Sequence, residues 1–266
     1  MKPLISVITP TLNVASTIRK TLDSVSGQTY KQIEHIIVDG LSEDDTAKIL
    51  ELYIRRHKHI RLYREKDTGV YDAMNKALHY CNGDFIIFLG SDDEFYNDRI
   101  LEELVAEGHF DDQEVIYGNV YVKGEAGWAG PDHIYDGPFD TKKLLYKNIC
   151  HQSIFYPANI VKKAGYYNTR YSVTADWDYN LRCWAFKPFR YVDKIIAFFK
   201  AGGASSSGGD KAFGDEKAEN VIRYFGIDPW DGEFDKPGSP FFYLVGEYRK
   251  NNKQNANCQN QKQPSV

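Results

Sequence analysis

The sequence predicts an α/β protein built on a mostly parallel sheet flanked by helices. Two observations predict it. Short apolar, β-rich runs alternate with segments of helical spacing from Leu4 to Leu89, the signature of parallel strands joined by right-handed crossovers. One of those runs, Phe85–Leu89, is apolar without interruption, as in a strand buried on both faces of a sheet.

Taken in order, Leu4–Ile8 reads as the first strand, ending in Thr9-Pro10-Thr11-Leu12-Asn13. Ile18, Leu22 and Val25 recur at three- and four-residue spacing and predict a helix closing near Gly27. Ile33–Val38 is a second strand, stopped by Asp39-Gly40; Ser42 and Asp45 resemble a capping pair for a helix Asp44–Arg56. Ile60–Tyr63 is a third strand, and Tyr71–Cys81 a helix before the Phe85–Leu89 strand. Further on come a helix at Ile100–Ala106, a strand at Glu114–Val122 and an irregular Gly124–Pro138 excursion. Helix Phe139–Asn148, strand His151–Tyr156 and helix Ala158–Ala164 follow. Ser172–Lys187 is helical with Trp177, Leu181 and Trp184 on one face, and Phe189–Phe199 is strand-like. Ala201–Gly209 is a flexible Gly/Ser loop of the kind that closes over a site; helix Asp215–Phe225 and a short helical stretch at Phe241–Tyr248 complete the chain. The expected division is a domain over 1–226, an extension over 227–250 and a disordered polar tail over 251–266.

Composition narrows the function. A formal net charge of −4 without polybasic runs argues against nucleic acid as a partner. The 19 Tyr and 15 Phe suit a protein that presents stacking surfaces as well as a core. Cys81, Cys150, Cys183 and Cys258 form no CxxC pair and no metal-ligand spacing, so reduced thiols are expected. The N-terminal apolar stretch is short for a signal peptide, and no run approaches the ~18 apolar residues of a membrane span. The expected location is the cytoplasm. The first strand is followed by no GxGxxG, and GxxxxGK[ST], GxSxG and HExxH are all missing, which disfavours dinucleotide, P-loop and common hydrolase chemistry.

The carboxyl ends of parallel strands line one edge of a sheet, where ligands bind. That edge collects Thr9, Thr11, Asn13, Asp39, Asp67, Asp92 and Asp93. Acids held there by a rigid strand can grip a hard divalent cation and leave coordination positions for phosphates. The competing reading is an acidic turn that only solubilises a loop.

The segments Ile5-Ser-Val-Ile-Thr-Pro-Thr-Leu-Asn13, Ile36-Ile-Val-Asp-Gly40, Asp67-Thr-Gly-Val-Tyr-Asp-Ala-Met-Asn-Lys76 and Phe88-Leu-Gly-Ser-Asp-Asp93 resemble, in order and spacing, the family 2 glycosyltransferases. The likeness continues more thinly through His151-Gln152, Thr174-Ala-Asp-Trp-Asp178 and Gly202-Gly203. It implies a GT-A fold, a nucleotide-diphospho-sugar donor, Mn²⁺ or Mg²⁺, and transfer with inversion to a saccharide or lipid-linked acceptor, in polysaccharide or glycolipid synthesis. Asp39 then matches the acid that binds base or ribose, with Thr9, Thr11 and Asn13 lining the same pocket and Asp67 a weaker base contact. Asp92 matches the metal ligand and Asp93 its neighbour on the donor side. Asp176 matches the general base, with Asp178 as its substitute, and His151 and Trp177 fall on the acceptor side, His151 also within reach of the metal. Asp72 and Asn75 share a helix face that approaches the donor or simply meets solvent. Two departures stand out: Gly90 occupies the first acid position of the family's Asp-x-Asp, and Ala175 the Glu of its Glu-Asp. The alternatives are a sugar nucleotidyltransferase and a non-catalytic nucleotide-sugar-binding subunit. With a lipid-linked acceptor, Phe241–Leu244 and the basic residues Arg249, Lys250 and Lys253 would touch the inner face of a membrane; otherwise the segment packs on the domain.

Overall fold

A computed structural model describes residues 2–124, 132–203, 208–234 and 236–260, with side chains to residue 252. Its first half follows the βα alternation: β1 (Ile5–Thr11), α1 (Ile18–Ser26), β2 (Ile33–Asp39), α2 (Thr46–Arg56), β3 (Ile60–Arg64), α3 (Val70–Leu78) and β4 (Phe85–Phe88). After it come β5 (Glu94–Phe95), α4 (Ile100–Ala106), β6 (Ile116–Lys123), β7 (His133–Tyr135), α5 (Thr141–Tyr146), β8 (Ile154–Pro157) and α6 (Ala158–Ala164). The last elements are α7 (Ala175–Phe186), β9 (Arg190–Lys200), α8 (Lys211–Phe225) and α9 (Phe242–Asn260).

Among the described residues the strands run in the order β3-β2-β1-β4-β8-β6-β9-β5, with β7 beside β6. β1 to β4 are parallel, and so are β6 and β9; β8 joins the halves antiparallel to both β4 and β6. Pro10 is tolerated inside β1 because β4 pairs only as far as Ile8, leaving Pro10 with β2 alone. Side chains alternate across the sheet at a period of two. Ile8, Ile86 and Phe88 face α3, α7 and α8, while Ile5, Val7, Phe85 and Ile87 face α4 and the β6–β9 half. Ile18, Leu22, Ile37, Ile49 and Leu50 close a third cluster between α1, α2 and β2.

Several local expectations are revised by tertiary partners. Ser42 does not cap α2, because its hydroxyl donates to Asp39. His151 does not begin a strand: residues His151–Ser153 form a 3₁₀ turn closed by the Ser153 amide and hydroxyl on the Cys150 carbonyl. Of the Gly124–Pro138 excursion, 125–131 lie outside the described residues and the later part supplies β7. Of the Ala201–Gly209 loop, residues 204–207 also lie outside them. α8 starts earlier than its spacing suggests, at Lys211. Helix α9 runs across position 250 to Asn260, and residues 261–266 lie outside the described residues. Leu244 and Val245 on α9 are buried, so this segment packs on the domain. No helix among the described residues is long and apolar enough to cross a membrane.

Polar pairs bridge β1 and β2 inside the sheet, Ser6 with Glu34 and Thr9 with His35. The Thr9 hydroxyl sits 2.9 Å from His35 Nε2, and His35 is wholly buried. Burial, aided by His59, pushes the His35 imidazole down to about 3. The unfolded chain protonates it near its ordinary value, so between the two values the unfolded state binds more protons and stability falls as pH drops. His35→Gln is therefore expected to lose less stability than the parent between neutral pH and pH 3, by on the order of 4 kcal/mol. Urea unfolding across that window checks this; parallel losses in the two proteins would show that His35 is not the group that titrates.

Candidate active site

Two adjoining cavities open along the carboxyl edge of the parallel strands. The first, ≈ 540 Å³, is walled by Pro10–Asn13 at the end of β1 and just beyond it, Asp67 and Gly69–Tyr71 at the start of α3, Gly90–Asp93 after β4, and Lys200. The second, ≈ 520 Å³, is walled by residues between α5 and β8 and by Asp176 and Trp177 of α7. His151, Gln152, Val173 and Phe199 line both.

The turn after β4 separates the roles of its two acids. Asp93 is buried and accepts from Gln152 Nε2 at 2.8 Å and from the Lys200 amide at 3.0 Å. Burial and the neighbouring Asp92 push its carboxyl up to about 6. Asp92 is half-buried on the cavity wall, its carboxyl also raised by burial and opposed by the charge of Lys200. Gly90 permits this turn: a Cβ there would come within 2.5 Å of Asp93 Oδ2 and 3.3 Å of Asp92 Oδ1. Ala175, the second departure, is wholly buried in the core.

The rim residues divide sharply. Thr11, Asn13 and Asp67 line the first cavity; Thr9 and Asp39 do not. Thr9 points into the sheet at His35. Asp39 is fully buried, engaged by Arg64 Nε at 2.8 Å and by the Ser42 amide and hydroxyl. Asn13, with φ 54°, turns its Oδ1 onto the Glu43 amide, so part of its role is to fold the loop. Asp67 accepts from the Gly69 amide, and its carboxyl is raised by burial, with Asp72 and Asp39 adding. Gly40 makes room for it, since a Cβ at Gly40 would collide with Asp67 Oδ2. Asp72 and Asn75 serve the fold: Asp72 accepts from the Thr68 amide, and Asn75 pairs with the backbone of Tyr167.

Asp176 stands in the first turn of α7, in the second cavity. Its Oδ2 accepts from Asn148 Nδ2 at 2.9 Å and lies 3.2 Å from His151 Nδ1. The Tyr71 hydroxyl is 3.1 Å from Oδ1, sharing its proton with the Val173 carbonyl. Trp177 lines the same cavity and donates its indole N–H to the Leu144 carbonyl. Asp178 is not brought there. It points into the core, bonded by Arg182, Tyr224 and, more loosely, Asn220, and so ties α7 to α8.

Sequence reasoning missed four participants. Tyr71 lies within a quoted segment, but only the fold brings it to Asp176. Asn148 and Lys200 carried no motif. Asp210 carried none either, yet it accepts from the amides of Ser172, Val173 and Thr174 and from two of their hydroxyls, which holds its carboxyl well below the usual range. That clamp fixes the entry to α7 just ahead of Asp176.

For a divalent cation, Asp92 is the ligand that the turn after β4 offers to the first cavity; Asp93 is spent on Gln152 and Lys200. No group of three His, Cys, Asp or Glu gathers as a cage among the described residues. A single carboxylate fits a hard cation whose remaining positions are filled by phosphate oxygens and water.

The sheet with its flanking helices and edge cavities is that of a GT-A glycosyltransferase. The sequence model of Glycosyl transferase family 2 matches residues 6–164. The chain is 37% identical over 217 residues to a "PGL/p-HBAD biosynthesis glycosyltransferase" of Mycobacterium bovis (strain BCG / Pasteur 1173P2), covering 79% of this chain and 82% of that protein. It is 28% identical over 206 residues to chondroitin synthase of Escherichia coli, covering 73% of this chain and 28% of that one. Among solved structures, S. aureus TarS 1-349 in complex with UDP-GlcNAc superimposes with a TM-score of 0.65 at 20% identity, covering 92% of this chain and 80% of that one. The mannosyltransferase PcManGT of Pyrobaculum calidifontis, in complex with GDP-Man and Mn²⁺, gives 0.60 at 18% identity, covering 92% and 69%. The chain belongs to glycosyl transferase family 2.

The position of Asp178 has a measurable consequence. Removing it leaves the mostly buried Arg182 guanidinium without its carboxylate, and breaking a buried pair from one side costs about 3–5 kcal/mol. Asp178→Ala is expected to lower the unfolding free energy read from urea titration by that much, with the slope unchanged and the midpoint shifted down. A loss under about 1 kcal/mol would place the pair among surface bridges.

Proposed function

We propose that this glycosyltransferase moves a sugar with inversion from a nucleotide-diphospho-sugar to an acceptor hydroxyl, assisted by Mn²⁺ or Mg²⁺. The observation that carries this reading is the pair of adjoining cavities with Asp92 in one, Asp176 in the other and His151 lining both. Two reactants placed on either side of one wall can meet only there, which converts their encounter into a positioned reaction. The related structures in complex with UDP-GlcNAc and with GDP-Man and Mn²⁺ support a nucleotide-sugar in the first cavity. The relatives named for PGL/p-HBAD biosynthesis and chondroitin synthesis support glycolipid or polysaccharide assembly. A lipid-linked acceptor would bring the enzyme to the cytoplasmic face of a membrane.

In this reading Thr11, Asn13 and Asp67 border the nucleoside, and Asp92 would hold the cation. The cation would supply Lewis-acid neutralisation of the departing diphosphate. Lys200, exposed on the same wall, adds positive charge beside that group. Asp176 accepts the proton of the acceptor hydroxyl as its oxygen bonds to the anomeric carbon from the face opposite the diphosphate. The anomeric C–O bond breaks, and its electron pair leaves on the nucleoside diphosphate. Asn148, His151 and Tyr71 orient the Asp176 carboxylate.

Asp176→Asn is expected to bind UDP or GDP as the parent does while losing about 10²–10⁴ in transfer rate. Asp92→Asn is expected to weaken nucleotide binding only when Mn²⁺ is present. Thermal shift with and without the metal, paired with a radiolabelled transfer assay, reads both. Normal transfer by Asp176→Asn would remove it as base. Nucleotide binding by the parent without transfer or donor hydrolysis for any acceptor would instead favour a non-catalytic subunit.

A further inference from the structure

Asp176 and Asn180 stand four residues apart on α7, so their side chains share one face of the helix. Asn148, in the segment after α5, bridges them. Its Nδ2 donates to Asp176 Oδ2 at 2.9 Å, and its Oδ1 accepts from Asn180 Nδ2 at 2.8 Å. The two ends of a carboxamide have nearly the same shape, so packing alone would admit Asn148 with oxygen and nitrogen exchanged. That arrangement would set an amide oxygen against the Asp176 carboxylate. Hydrogen bonding decides between the two, and the deciding groups lie behind the cavity.

Asn180 is wholly buried. Its Nδ2 also donates to the Ile149 carbonyl at 3.1 Å, an acceptor that cannot become a donor. Its Oδ1 accepts from the Tyr156 hydroxyl. Tyr156 is wholly buried too, met edge-on by the rings of Phe88, Tyr179 and Phe189. Burial pushes its phenol well above the ordinary range, so it keeps its proton. Turning the Asn180 amide over would face its oxygen to the Ile149 carbonyl and leave buried groups without partners. Donor polarity therefore runs one way through the chain of amides, from Asn180 to Asn148 to Asp176.

We propose that Asn180 is a positioning residue for the transfer, acting through Asn148 by locking that amide with its N–H toward the Asp176 carboxylate. This rests on the reading of Asp176 as the base. Asn180 lines neither cavity, so its effect on rate passes through Asn148.

Two measurements on the full chain test this. The first is the Asn148 side-chain ¹⁵N–¹H₂ signal without any ligand, assigned by its loss in Asn148→Leu. Asn180→Leu is expected to shift it and to speed its exchange with water. The second is release of UDP from UDP-GlcNAc or GDP from GDP-Man with Mn²⁺. In that reaction the oxygen of water bonds to the anomeric carbon, its proton passes to Asp176, and the nucleoside diphosphate leaves with the electron pair. Asn180→Leu and Asn148→Leu are each expected to lower kcat about tenfold with donor KM within about twofold. The double variant is expected to be no slower than Asn148→Leu alone. Tyr156→Phe, which keeps the ring, serves where Asn180→Leu does not fold. Its expected loss is about threefold in the parent and none in Asn148→Leu. Losses that multiply in the double variants, or an Asn148 signal untouched by Asn180→Leu and Tyr156→Phe, would overturn the lock. Asp176→Asn hydrolysing donor as fast as the parent would instead strike the base reading and the positioning role with it, while the amide signal would still show the lock.

Discussion

One buried carboxylate joins the two halves of this protein. Asp93 leaves the last parallel strand of the first half and accepts from Gln152, on the turn before β8, and from the Lys200 amide, at the end of β9. The Thr21 hydroxyl on α1 closes on its carbonyl oxygen at 2.7 Å. With Asp93 held in this way, Asp92 is turned to the first cavity and His151, the neighbour of Gln152, is set between the two cavities. A charge so deeply buried is tolerated because donors surround it. Gly90 belongs to the same constraint, since a side chain there would compete for the space that Asp93 occupies. Its presence at the first acid position is thus consistent with the packing of the turn and is no isolated loss.

A second constraint acts on the other cavity. Asp176 is oriented by Tyr71 from α3, Asn148 from the segment after α5, and His151 from the 3₁₀ turn. The clamp of Asp210 on residues 172–174 presets the backbone from which α7 departs. Asp210 also stands at the end of the Gly/Ser segment that follows β9, so the same residue links that segment to the helix bearing the proposed base. Asp92 and Asp176 are therefore placed by elements from both halves of the chain.

Much of this was legible along the chain. Period and uninterrupted apolar runs located β1 to β4, the helices between them and the acid-bearing edge, because burial on a pleated or helical face depends on local spacing. The resemblance over residues 5–93 led to the family, and the position of Asp176 emerged from the same comparison. Trp177 lines the second cavity, while most of α7's remaining apolar face entered the core.

What the sequence by itself determined, then, is which segments form strands and helices and which edge of the sheet carries the acids. Only the tertiary structure decided which rim residues face a ligand. Thr9 and Asp39 lie on that edge by spacing, yet each turns to a partner on a neighbouring strand, His35 and Arg64. His151 falls in a strand by its flanking pattern yet lies in a turn; Asp178, a candidate base by position, forms a core ion pair with Arg182. In each case the deciding partner is a polar group brought alongside by folding, mostly from a distant part of the chain. A buried carboxylate or imidazole settles wherever its hydrogen bonds can be completed, and that choice exists only once the segments have been packed together.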